Sequence, residues 1–270
     1  MKFLRLTLVE MRRAIHRRLV RWMILIALAF SALAGLIVFL TSGDTLKFAQ
    51  DPGHPARMAN WWTAGSGDDF LLVAAFFIFI GAAICGASVA GAEWRAGTVT
   101  TVLTWVPSRV RLHLARTSSA VLLAFVISFL LQTAYLLSAM PAVVVNGNTN
   151  GTDSAWWSAL ILAMLRVSLV ASLVAVLALS IATIGRNTSA ALIVLATWAL
   201  VIERTVVGLR PKLARYMISE NIGTLIEWSQ LDGVDFERRP IVSLFALASY
   251  LAVVIAIATV LFARRDIATS

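Results

Sequence analysis

The chain has 270 residues, of which 60% are hydrophobic and 14% charged, with a formal net charge of +9. Ordinary soluble domains carry about 25% charged residues, so the composition argues against a soluble domain. The basic excess does not form a nucleic-acid groove either. Seven of the 23 Lys and Arg lie in residues 1–21, and long apolar runs separate the other clusters, as in a basic juxtamembrane face.

In residues 1–21, Leu4, Leu8, Met11, Ile15 and Leu19 recur at three- and four-residue steps, the period of one helical face. Most arginines lie off that stripe. The expected element is an amphipathic helix lying in the inner membrane interface and leading into the first span; a solvated basic tail would not need the stripe. No cleavable signal is expected, because 1–21 is too long and charged for its leading region. Six segments then reach the roughly 20 apolar residues needed to cross a hydrocarbon core: 22–40, 70–92, 118–145, 157–184, 189–209 and 241–263. The fifth contains Glu203 and Arg204. "NGNTNGTDS" (146–154) is an exposed turn. Residues 210–240 carry two short amphipathic patches (Leu213, Tyr216, Met217; Ile222, Leu225, Ile226), as expected of short helices on the outer leaflet.

Loop charge sets the orientation. Residues 1–21, the 93–117 loop (Arg95, Arg109, Arg111 and Arg116 against Glu93), Arg186, and Arg264 with Arg265 fall on one face of a six-span protein. The positive-inside rule makes that face cytoplasmic, with both termini inside and 264–270 a cytoplasmic tail. The opposite face holds 42–69, with four Asp against Lys47 and Arg57, and 210–240, where five bases balance five acids.

Residues 91–116, "GAEWRAGTVTTVLTWVPSRVRLHLAR", are too patterned for a plain linker. Val99, Val102, Leu103 and Val106 have helical spacing, and Pro107–Ser108 breaks the run before a second basic segment. This predicts a short helix across the inner membrane surface, one side seated and the other offered. Glu93, Arg95, Gly97, Thr98, Leu103, Pro107, Ser108, Arg109 and Arg116 resemble the cytoplasmic loop after the second span in type-2 ABC-transporter permeases. The resemblance implies that these residues couple the membrane helices to a separate ATPase subunit. Trp105 departs from the pattern, which more often has a small or polar residue there.

The chain contains no G-x-x-x-x-G-K-[ST] phosphate loop. ATP and Mg would therefore be bound by the partner, and no cofactor by this chain. The family further implies a second permease copy or a close relative beside it. Enzymatic readings fail: "GASVA" (86–90) is one glycine short of a nucleophile elbow, and His16, His54 and His113 lack metal-ligand spacing. Cys85, the sole cysteine, reads as a packing residue, as do Gly81, Gly86 and Ser88 in small-residue faces. Arg166 and Glu203 are the intramembrane charges. An unpaired charge there costs several kcal/mol, so they are expected to pair or to line an outward cavity, unless span five ends near Ile202 and leaves Glu203 at the interface.

The sequence thus predicts an all-α integral membrane protein with an interfacial N-terminal helix (1–21), a six-span domain (22–263) and short outer helices between spans five and six. By resemblance it is the non-catalytic permease of an ABC exporter in the plasma membrane. Its cargo would be amphipathic (a drug, peptide or lipid). An ion-gradient-driven secondary transporter, usually built of repeats with buried carboxylates, and a non-transporting membrane anchor are the alternatives.

Overall fold

The computed structural model describes residues 3–63, 69–106, 108–229 and 238–264. Pro107 and the tail beyond Arg264 lie outside the described residues. The chain is built of helices, with no strand among the described residues beyond one isolated bridge. In order these are α1 (Phe3–Ile15), α2 (Arg18–Ser42), α3 (Thr45–Gln50), a 3-10 turn (Met58–Trp61), α4 (Phe70–Arg95), α5 (Val99–Trp105), α6 (Arg109–Val145), α7 (Ser154–Gly185), α8 (Thr188–Thr197), α9 (Glu203–Leu209), a 3-10 turn (Pro211–Tyr216), α10 (Ile218–Glu227) and α11 (Pro240–Arg264). A π turn, Trp198–Ile202, joins α8 and α9 into one rod, Thr188–Leu209. That rod and α2, α4, α6, α7 and α11 are the six helices long and apolar enough to cross a membrane. The protein is a multi-pass, all-helical membrane protein.

Local chemistry sets the helix boundaries. Ser108, Asp153 and Asn187 cap α6, α7 and α8, their side chains accepting from the Arg111, Trp156 and Ser189 backbone N–H groups. Arg186, in the left-handed region at φ 54°, turns the chain between α7 and α8. The helix α6 is longer than the sequence suggests. Its 37 residues rise roughly 55 Å, against about 30 Å of hydrocarbon. The second basic segment, Arg109 to Arg116, is therefore the first two turns of the third spanning helix and no loop.

The interior centres on α7, the most buried of the six, which packs against α4, α6, α8, α10 and α11. Small residues let backbones meet where hydrocarbon offers no driving force between helices. A Cβ on Gly86 would lie 2.1 Å from the Ala175 carbonyl oxygen of α7, and one on Gly35 2.2 Å from that of Ser138 in α6. Gly86 thus has the packing role expected of it. Gly81 faces open space instead, with nothing within 4 Å of a Cβ. Gly86→Leu is expected to lower stability by about 3 kcal/mol or more through overpacking. Gly81→Leu should be nearly neutral. Melting of both variants in the same detergent checks the contrast.

Residues 43–63 fold down onto the end of the bundle away from the N-terminus. The Met58 N–H donates to the Asn148 carbonyl (3.0 Å), the Asn148 N–H to that of Ala56 (3.3 Å), and the Trp156 indole to that of Trp62 (2.9 Å). Gly147 fits because a Cβ there would stand 1.9 Å from the Ala56 oxygen. The turn at 146–154 is thus half docked: Asn146 to Asn148 are partly buried against this cap, and Thr149 to Gly151 are exposed.

Candidate functional site: a buried charge cluster beneath an exposed helix

The N-terminal helix ends at Ile15, and an extended Arg17 starts α2. This break lets Arg13 and Arg17 turn inward together. Glu93, on the last turn of α4, is 4% exposed and accepts from both, at 3.3 Å from Arg13 and 3.0 Å from Arg17. Its other oxygen accepts from Arg116 of α6, itself 4% exposed. Glu10, 5% exposed, pairs with Arg13 at 2.6 Å and lies 3.4 Å from the Arg116 Nε. Arg17 also donates to the Ser88 carbonyl at 2.7 Å. Burial lowers the pKa of Arg17, and the negative charge of Glu93 opposes that shift. Three arginines and two glutamates from α1, the start of α2, α4 and α6 thus tie the N-terminal segment to the ends of spans two and three.

The apolar positions of α1 lie differently from an inward stripe. Leu6, Thr7, Glu10 and Ala14 are buried, while Leu4 and Leu8 are 75% and 55% exposed and Ile15 and Leu19 are also exposed. The face toward the bundle is mixed, with Leu6 and Ala14 beside Thr7 and the paired Glu10. The apolar face points outward.

Beneath the cluster α4 turns into α5 through Gly97, whose φ of 66° favours glycine. The Thr98 N–H closes the turn on the Glu93 carbonyl at 3.2 Å. Val102, Leu103 and Val106 seat α5 against Leu112 of α6, Phe262 of α11 and Trp94. Arg186 stacks over the Trp94 ring at 4.6 Å. The other side of α5 is open: Thr101 and Thr104 are exposed, and Trp105 is 81% exposed.

Of the nine residues of the 93–116 motif, the eight that are described fall into three groups. Glu93 and Arg116 are buried and paired with each other, so their direct contacts are within the chain. Leu103 is half-buried and seats α5, Ser108 caps α6, and Arg109 reaches the Ala263 carbonyl at 3.5 Å. Arg95, Gly97 and Thr98 are exposed. Pro107 lies outside the described residues. Sequence reading missed Glu10, Arg13 and Arg17 as members of the site. Their signal was present: the single acid of residues 1–21, with arginines three and seven positions on, shares one helical face.

Arg166 and Glu203, expected to pair or to line an outward cavity, take separate partners. Glu203 is 2% exposed and accepts from the Trp198 indole (2.6 Å) and from the backbone N–H groups of Ile218 (2.7 Å) and Ser219 (2.9 Å). It caps α10 from a different helix. Arg166 donates to the Leu162 carbonyl, lies over the rings of Trp62 and Trp228 at 5.9 and 5.6 Å, and interacts electrostatically with Glu227. Glu227 and Trp228 form the other end of α10. The two charges thus bracket one helix, the anion at its positive end and the cation at its negative end, as the helix dipole favours. The π turn Trp198–Ile202 immediately precedes Glu203, whose N–H bonds back to the Trp198 carbonyl. Span five continues through it to Leu209.

Among the described residues, no group of three or more His, Cys, Asp or Glu is placed to hold a metal ion. No protein-family model matches the chain, and no curated protein shows significant similarity to it.

Proposed function

We propose that this chain is the membrane permease subunit of an ATP-driven ABC exporter, with its basic end in the cytoplasm and a separate ATPase docked on α5. The observation that carries the reading is the form of α5. It is a short helix between spans two and three, its apolar side seated on α6 and α11, its other side exposing Trp105, Thr101 and Thr104, with Arg95 exposed at the end of α4. A short helix of this kind can transmit force: the Thr98 N–H on the Glu93 carbonyl ties its start to α4, whose Glu93 the charge cluster joins to α1 and α6. Loop charge favours the cytoplasmic placement in a plasma membrane. In that orientation the exposed Leu4 and Leu8 face lipid, α1 lies in the inner interface, and α10 with the preceding 3-10 turn rests on the outer side.

On this reading ATP and Mg bind the ATPase, and two permeases, identical or related, form the pathway for an amphipathic drug, peptide or lipid. The ion-gradient alternative loses support, since Glu203, its candidate carboxylate, already has both oxygens engaged as a helix cap.

Affinity purification from native membranes in mild detergent tests the reading. A vanadate-sensitive ATPase is expected to accompany the wild-type chain. Trp105→Ala should weaken that association by about 30-fold or more, as loss of an interface Trp anchor does, with melting unchanged because the side chain is exposed. If no ATPase accompanies the wild type, the exporter reading fails.

A further inference from the structure

Between α2 on one side and α4 and α6 on the other runs a cavity of about 390 Å³. Its walls are apolar for most of its length, with Met23 and Ala27 of α2, Ile80 and Ile84 of α4, and Ala124 and Leu131 of α6. Lining positions extend from Val20 to Ser31 on α2, from Ala74 to Val89 on α4 and from Arg116 to Tyr135 on α6, the last about 28 Å of helical rise. The cavity is therefore a long slot along the helices. Its length and apolar walls match a hydrocarbon chain. It also opens sideways, toward the hydrocarbon: Ile26 and Ile80, both lining residues, are 55% and 44% exposed.

At the basic end the slot reaches Glu10 and Arg116. There three arginines (13, 17 and 116) meet two carboxylates, Glu10 and Glu93, which leaves one positive charge unbalanced. The Arg13 side chain stays 38% exposed, and Arg12, Arg18 and Arg21 are exposed nearby. A ligand that complements this site is apolar along its length and negatively charged at one end.

We propose that the slot binds one acyl chain of an anionic glycerophospholipid from the leaflet at the basic end, with the phosphate against the exposed side of Arg13. The site requires insertion in a membrane and is independent of any partner ATPase.

Native mass spectrometry of the purified full chain tests this, titrating phosphatidylglycerol against phosphatidylcholine with the same acyl chains. Phosphatidylglycerol should bind about fivefold more tightly, the preference given by one unbalanced basic charge near the membrane surface. Arg13→Gln should bring the two lipids level. Gly81→Phe projects into open space and should remove the retained lipid, as should Ala27→Phe from the opposite wall, with both variants melting near wild type. Equal binding of the two lipids to wild type overturns the proposal, and this comparison decides even if a filled variant fails to fold. Lipid retention in well-folded filled variants also overturns it. So does loss of self-association with lipid binding unchanged, which would assign the slot to a second copy.

Discussion

Replacing Glu93 with Ala is expected to destabilise the chain by about 3–5 kcal/mol, the range for removing one partner from a buried ion cluster. Glu93 accepts from Arg13, Arg17 and Arg116, and among the described residues the other carboxylate paired with these arginines is Glu10. Without it, Arg116 and Arg17 stay largely buried with too little compensating charge. At a few degrees per kcal/mol for a chain of this size, the melting temperature should fall by about 10 °C. Hydrogen exchange should rise first in residues 3–15, because α1 is held by this cluster and by its packing on α6. Arg116→Ala should be comparably harmful, and the double variant should be less harmful than the sum of the two singles by 0.5 kcal/mol or more, as for groups in one network. Strict additivity would mean that Glu93 and Arg116 do not act together.

Removing the Glu203 carboxylate is expected to release α10 while leaving the spanning bundle intact. Glu203→Ala strips the acceptor from the backbone N–H groups of Ile218 and Ser219 and from the Trp198 indole. Loss of a helix cap costs about 1–2 kcal/mol, and leaving buried donors unsatisfied adds a comparable amount. Exchange in residues 218–227 should therefore accelerate by about 30-fold or more, with little change in α7. Reversing both charges, Arg166→Glu with Glu203→Arg, should not restore what either reversal loses. It would set a cation at the positive end of α10 and an anion at the negative end. Rescue by the double reversal would show that the two charges act on each other and that the bracket around α10 is wrong.

Much of the architecture was legible along the chain because it depends on local composition. A run of about 20 apolar residues has one low-energy arrangement in lipid, so six spans could be counted from the sequence. A breaker pair between two patterned segments could likewise mark a short helix, and α5 occupies Val99–Trp105. Boundaries were less legible. Arg109 to Arg116 looked like a loop because it carries three arginines and follows Glu93 and Arg95, yet it is helical, since a 37-residue helix carries those charges past the hydrocarbon.

Pairing was not legible, because it depends on which helices become neighbours. Glu93 and Arg116 stand 23 residues apart, and both fell within a motif suggestive of an exposed surface. They meet because α4 and α6 pack together and α1 folds back with Glu10, Arg13 and Arg17. Arg166 and Glu203 were the obvious opposite charges in the spans. Their place in apolar runs was readable, but not that a third element, α10, would lie between their positions and take each at one end.

By itself the sequence determined the all-helical class, the six spans, the basic face and the short helix after span two, because each follows from residue spacing and the cost of exposing a backbone or a charge to lipid. Only the tertiary structure decided which charges neutralise one another, which face of α1 is buried, and where a slot remains beside α2. Those outcomes depend on close approaches such as Gly86 against Ala175 and Gly35 against Ser138, and a linear pattern does not encode which surfaces will come that close.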